Sequence, residues 1–240
     1  MTISDEGPVP MRRFGRLLLA ISTLNVVFLT EASAESKPPN ILLIMCDDLG
    51  WGDVGFNGNR QIKTPHLDRW AQQGVVLERF YAASPVCSPT RGSCLTGRHP
   101  HRYGIFHANR GHLPDAEVTL AEALRQRGYA TGHFGKWHLG TLTTQIKESN
   151  RGGPQNAQHF APPWQHGFDV CFSTEAKVPT WDPMKKPPNA SRLWWDPVAD
   201  EDALEYGTYY WSGPETRVRQ NLAGDDSRVI VDRALPFIEE

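Results

Sequence analysis

The sequence predicts an α/β protein, and three observations carry that expectation. Residues 41–45 form an uninterrupted apolar run, bounded by Pro39 and Asn40 on one side and by Asp47 and Asp48 on the other. Further on, segments with helical spacing open on capping residues and close on glycine. A second stretch of strand character, residues 129–134, follows one of those helices directly. Alternation of apolar strands with capped helices is the pattern of a sheet flanked by helices.

Composition narrows the class. With 240 residues, 39% hydrophobic and 22% charged, the chain is long enough to bury a core. A formal net charge of −2 leaves no basic stripe to release counterions, which excludes nucleic acid as a partner. Four cysteines without close spacing exclude a disulfide scaffold and a zinc site. Cys46, Cys94 and Cys171 are expected as core thiols, with a bridge among them left open.

The amino terminus reads as a targeting segment. Arg12, Arg13 and Arg16 give a positive region, residues 17–29 an apolar one, and Ala32-Ser33-Ala34 a small-residue cleavage site. The apolar run is too short for an ordinary membrane span. Residues 1–34 are therefore expected to be a signal peptide, with 1–10 as a dispensable extra leader, and no stable membrane anchor remains. Residues 35–240 then form the mature part, placed in the periplasm or secreted.

In chain order, residues 41–45 read as a central strand buried on both faces, the habit of parallel sheets. Asp47 and Asp48 follow at its carboxyl end, where open α/β sheets gather their ligands. Two adjacent carboxylates there suit either a turn or a hard divalent cation. Thr64 caps, Pro65 opens and Gly74 stops a packing helix whose Leu67, Trp70 and Ala71 share one face. Residues 75–81 are expected to form a strand delivering the chain to Cys87.

Around Cys87 the residues have a mechanical reading of their own. Pro89 suits the first turn of a helix and Gly97 the left-handed residue that ends one. Cys87 then sits just before a short helix, where unpaired N–H groups and the positive dipole end favour a nucleophilic anion. A lone buried cysteine beside an ordinary turn is the competing reading.

Residues 98–112 carry His, Arg and Gly without a period and are expected as a loop near the cleft, with Arg102, His107 and Arg110 able to meet an anion or simply solvated. Thr119 and Glu122 make a capping box for a helix closed by Gly128. The strand at 129–134 runs into Lys136 and His138, which point to the same side if extended geometry persists. A cation and an imidazole together suit a sulfate, whose oxygens need charge-assisted donors.

From residue 141 to 224 periodicity fades, and these are expected as long substrate-facing loops. Their aromatics, Trp181, Trp194, Trp195, Tyr209, Tyr210 and Trp211, suit either stacking on sugar or aryl rings or plain packing. Asn189-Ala190-Ser191 is a glycosylation sequon. Residues 225–240 read as a helix with Val229, Ile230, Ala234 and Ile238 inward, kinked or ended by Pro236.

Taken together, Cys87, Pro89 and Arg91 running on to Gly97, the opening from Asn40 to Gly52, and Gly135-Lys136-Trp137-His138 resemble the type I sulfatases. The resemblance implies a mixed, largely parallel sheet flanked by helices, of alkaline-phosphatase-like kind. It implies sulfate-ester hydrolysis of an aryl or carbohydrate ester by a formylglycine made from Cys87, through a formylglycine-generating maturation enzyme. It further implies a calcium ion held by Asp47, Asp48 and the modified Cys87, with Arg91 neutralising the nucleophile, Lys136 binding sulfate and His138 orienting or deprotonating the diol. Such sulfatases are about twice as long, and their later calcium, sulfate and leaving-group residues find no match here, where no histidine follows His166. The chain is therefore expected to be an amino-terminal part, incomplete as a fold. Two alternatives stand beside this reading: a phosphate or phosphonate ester hydrolase of the same superfamily, and an inactive remnant that binds sulfated glycans.

Overall fold

The computed structural model describes residues 38–148, 151–190 and 197–240. The expected signal segment, Trp194, Trp195 and Ser191 of the sequon lie outside the described residues. Two compact units divide the chain, Met1–Met45 and Cys46–Glu240. Among the described residues no helix is long and apolar enough to cross a membrane.

In the first unit, residues 38–45 hold neither helix nor strand, which corrects the expected central strand at 41–45. Leu42 is 65% exposed and Ile44 59%. A strand takes its stability from ladder bonds to neighbours, and none of the described strands pairs with this run.

The second unit opens on two 3-10 turns, Trp51–Asp53 and Gly55–Asn57, and then α1 (Pro65–Gln73), bounded by Thr64 and Gly74 as the spacing predicts. Thr64 does not cap with its side chain; its hydroxyl donates to Asp68 Oδ1 and accepts from the Gly55 amide, each at 2.8 Å. Trp70, expected inward, is exposed. Residues 75–81 form no strand, and Phe80 and Tyr81 stand open to solvent for want of a pairing partner.

The next helix is α2 (Cys87–Thr96), ended by Gly97 at φ 67° as expected, but it takes in Cys87 as its first residue rather than starting after it. A short helix, α3 (Pro100–Tyr103), stands inside the stretch expected as loop; Pro100 opens it and Gly104 closes it in the left-handed region. Tyr103 from α3 is buried against α2, its hydroxyl bonded to Ser93 Oγ at 2.9 Å and donating to the Pro89 carbonyl. Gly92 makes this approach possible, since a Cβ there would sit 2.8 Å from the Tyr103 ring.

Helix α4 (Leu120–Arg125) carries the reciprocal capping box: the Thr119 amide donates to Glu122 Oε2 at 2.7 Å and the Glu122 amide to Thr119 Oγ1 at 3.1 Å. Strand β1 (Gly132–Lys136) starts three residues later than expected and ends on Lys136. It pairs in parallel with β2 (Val170–Thr174), from Gly132 against Val170 to Lys136 against Thr174. A small antiparallel pair, β3 (Lys185–Lys186) and β4 (Leu204–Glu205), precedes β5 (Tyr210–Trp211), which is antiparallel to β2. The sheet order is β1-β2-β5, a mixed sheet.

The described residues of 141–224 thus contribute β2 to β5 to the scaffold, and Tyr209, Tyr210 and Trp211 are buried core residues that cannot stack on a substrate. Tyr103, Ile105, Leu113, Trp137 and Leu139 pack with Tyr209 and Trp211, while Phe172, Val178 and Val229 pack with Tyr210. Large aromatics bury the most apolar area per residue, so a chain with these rings near its sheet closes on them. Trp181 remains exposed.

Helix α5 (Asp226–Glu239) opens on Asp225, whose carboxylate accepts from the Arg228 amide at 3.1 Å. It runs through Pro236 rather than ending there. Pro236 and Asp232 are both exposed, so the helix bears the missing amide donor on its solvent side. Phe237 turns toward Phe134, and Ile238, expected inward, is exposed. All four cysteines are free thiols; Cys171 is buried, Cys94 half-buried, and Cys46 exposed, contrary to expectation.

Candidate active site

Cys87 is the first residue of α2 and follows Val86, which is extended at φ −132° and ψ 144°. The chain thus turns abruptly into the helix, leaving the residue 87 side chain beside the first unpaired amides. One turn later Arg91 projects from the same helix toward the end of β1, its Nη1 donating to the Lys136 carbonyl at 2.6 Å. That bond ties α2 to the end of β1.

Lys136, the last residue of β1, reaches across this junction. Its Nζ lies 2.6 Å from Asp47 Oδ2 and 3.3 Å from Cys87 Sγ, and Arg91 Nη2 lies 3.4 Å from Asp47 Oδ1. Burial pushes the Asp47 carboxyl up, but the hydrogen bond and charge of Lys136, with those of Arg91, outweigh this and hold it below the usual carboxylate range. Asp48 completes the corner in a left-handed turn, φ 59°. Asp47, Asp48 and Cys87 each offer a ligand atom, all within 4.8 Å of one another.

Those donors fit a hard divalent cation in part. Carboxylates are the oxygen ligands such ions prefer, and calcium takes about six to eight of them. The Cys87 thiol is a soft ligand, which an oxygen in its place would convert to a hard one.

His138 departs from the expected geometry. The strand stops at Lys136 and His138 lies at φ 59°, so the two side chains are not placed together by strand alternation. Its ring is buried, with Nε2 2.5 Å from Asn109 Oδ1. Burial, reinforced by the positive charges of Lys136, Arg91 and Arg151, pulls its pKa down to about 3, so the imidazole is neutral.

The structure therefore brings together Asp47, Asp48, Cys87, Arg91 and Lys136, and sets His138 beside them within the field of the same charges. Arg102, on α3, and the loop residues His107 and Arg110 are all exposed. Reading the sequence missed Asn109, whose one signal is the tolerance of asparagine for the left-handed conformation it adopts here, φ 64°. It also missed Arg151 and Glu175, a buried ion pair at 2.8 Å with no local signature.

Residues 39–240 match the family model described as Sulfatase. The chain belongs to the sulfatase family. It is 46% identical over 169 residues to the steryl-sulfatase of Mus musculus, covering 64% of this chain and 26% of that protein. Against the N-acetylgalactosamine-6-sulfatase of Canis lupus familiaris it is 38% identical over 180 residues, 70% of this chain and 31% of the relative. Among solved structures, Ps i-CgsB superposes with a TM-score of 0.61 at 28% identity, over 84% of this chain and 41% of that one. The chain thus spans roughly a quarter to a third of the length of these curated sulfatases. Its mixed sheet and helices are part of the alkaline-phosphatase-like fold of the type I sulfatases, incomplete in this chain.

Proposed function

We propose that this chain is the nucleophile-bearing part of a sulfuric ester hydrolase acting on sulfate esters of an aryl or carbohydrate alcohol. One observation carries the reading: the Lys136 ammonium meets both Asp47 and the residue 87 side chain, so three segments remote in sequence converge on one point with the charges a sulfate requires. The names of the two relatives span a sterol and an amino sugar, which supports the sulfate, rather than its alcohol, as the shared recognition element.

Formylglycine formed from Cys87 by a maturation enzyme would supply a hydrated aldehyde. One hydroxyl would attack sulfur as the S–O bond to the alcohol breaks and the alcohol leaves with a proton, and the other, losing its own proton, would expel sulfate and restore the aldehyde. A calcium ion, held in part by Asp47, Asp48 and the residue 87 oxygen, supplies Lewis-acid stabilisation when bound. Arg91, fixed to the Lys136 carbonyl, places a permanent positive charge beside the nucleophile and Asp47. Lys136 binds a sulfate oxygen, exchanging its contact with Asp47 for one with substrate. His138, neutral in its buried position, offers a lone pair that orients the nucleophile or takes its proton. The signal segment routes the protein to the periplasm or outside the cell, where soluble sulfate esters are met.

Peptide mass mapping of the tryptic peptide spanning residues 80–91 tests the first step: an aldehyde at residue 87 is expected, and an unmodified thiol in protein purified with a formylglycine-generating enzyme overturns the mechanism. Cys87→Ala is expected to abolish aryl sulfate hydrolysis, and retained turnover in a pure sample would sink the assignment.

A further inference from the structure

We propose that Asn109 is a positioning residue that selects the tautomer of His138; the inference rests on the role given to His138 above. The amide oxygen accepts only, so the 2.5 Å contact between Asn109 Oδ1 and His138 Nε2 requires the ring proton to sit on Nε2. Nδ1 then carries the lone pair. A histidine that takes a proton needs its basic nitrogen in a fixed place, and the hydrogen bond on the other nitrogen is what fixes it.

Both ends of this bond stand on anchored backbone. The Trp137 amide donates to the Thr174 carbonyl at 2.8 Å and the Leu113 amide to the Leu139 carbonyl at 2.7 Å, which holds the segment around His138 between β2 and the Asn109 loop. On the loop side, Arg151 Nη1 donates to the Gly111 carbonyl at 2.5 Å, and Arg151 is itself locked by Glu175. Asn109 and His138 are both left-handed, at φ 64° and 59°. Few side chains accept that conformation; asparagine does, and it brings an acceptor with it. The residue type thus meets two demands, one of backbone and one of chemistry.

Asn109 is exposed whereas His138 is buried, so removing the amide opens no cavity. Asn109→Gly keeps the left-handed backbone and deletes the acceptor; Asn109→Asp keeps both. Nitrogen-15 NMR of the histidine rings reads the tautomer directly and needs no turnover. The wild type and Asn109→Asp are expected to carry the proton on Nε2, and Asn109→Gly to lose that preference. A wild-type ring protonated on Nδ1, or a tautomer unchanged in Asn109→Gly, overturns the proposal.

Kinetics on an aryl sulfate with the formylglycine-matured protein give the second readout. Asn109→Gly is expected to lower kcat about tenfold to a hundredfold with KM little changed, a part of what general base catalysis contributes. Asn109→Asp is expected to recover most of that loss. A shifted tautomer with unchanged kcat refutes the positioning role while leaving the hydrolase assignment intact. If the full-length wild-type protein turns over no sulfate ester, the hydrolase assignment falls, and the NMR comparison still decides whether Asn109 sets the ring.

Discussion

Arg151 donates through Nε to Glu175 Oε1 at 2.8 Å, with 7% and 0% of the two side chains exposed. The pair lies beneath the loop that carries Asn109, to which Arg151 is also bound through Gly111. Breaking a buried pair from one side leaves an uncompensated charge, so Arg151→Met is expected to cost about 3–5 kcal/mol. Urea unfolding followed by tryptophan fluorescence reads this as a lowered midpoint; a loss below about 1 kcal/mol would show that the site tolerates a lone Glu175.

A pH dependence follows from Glu148. Burial, with the charge of Glu175, pushes its carboxyl up to about 7, against bonds from Trp211 and the Tyr209 amide that pull the other way. The folded chain therefore keeps a proton that the unfolded chain releases at ordinary carboxylate pH. Its contribution is full below about 4.5 and is lost as pH rises through about 7, at most about 3 kcal/mol. Glu148→Gln removes the titration, so it is expected to gain stability relative to wild type between pH 5 and pH 8. Equal pH slopes in chemical denaturation of the two proteins would rule this out.

On the proposed function, Lys136 and a divalent cation would compete for the Asp47 carboxylate. Removing the ammonium in Lys136→Met is expected to tighten calcium binding about tenfold, by relieving repulsion near the ion, while lowering kcat/KM on an aryl sulfate about a hundredfold. Calorimetric titration with calcium checks the first half. Weaker binding in Lys136→Met would mean that the lysine orders Asp47 for the metal rather than competing with it.

Gly92 is the residue of α2 that admits Tyr103. A Cβ there would stand 2.8 Å from the ring of a side chain that is 4% exposed, so Gly92→Ala is expected to cost about 1–3 kcal/mol through overpacking. Because the displaced helix also carries Cys87 and Arg91, turnover is expected to fall more than stability alone explains. Thermal unfolding and kcat of the same sample separate the two effects.

What was legible in the sequence was what short-range chemistry encodes. Thr119 with Glu122, Pro65 with Gly74, and Cys87 running to Gly97 each specify an element from within a few residues, and each stands where its signals put it. Asp47, Cys87, Arg91 and Lys136 were picked out by residue type and family resemblance, and the fold brings them to one point. Strands were another matter, since a strand is defined by its partner. Residues 41–45 carry the right side chains without a ladder, whereas β5 is paired although nothing near Tyr210 announces it. Pairings such as Asn109 with His138 and Arg151 with Glu175 join residues 29 and 24 apart. No local pattern encodes them.

The apolar run at residues 41–45 has a consequence for handling the protein. Five successive apolar residues, each between 39% and 65% exposed, belong to no described strand. Identical copies meeting there can complete each other's ladder, the geometry from which cross-β stacking grows. Expressed by itself, this chain is expected to accumulate in inclusion bodies and to bind hydrophobic dyes. A lysine in place of Leu43 acts as a gatekeeper that keeps it dispersed.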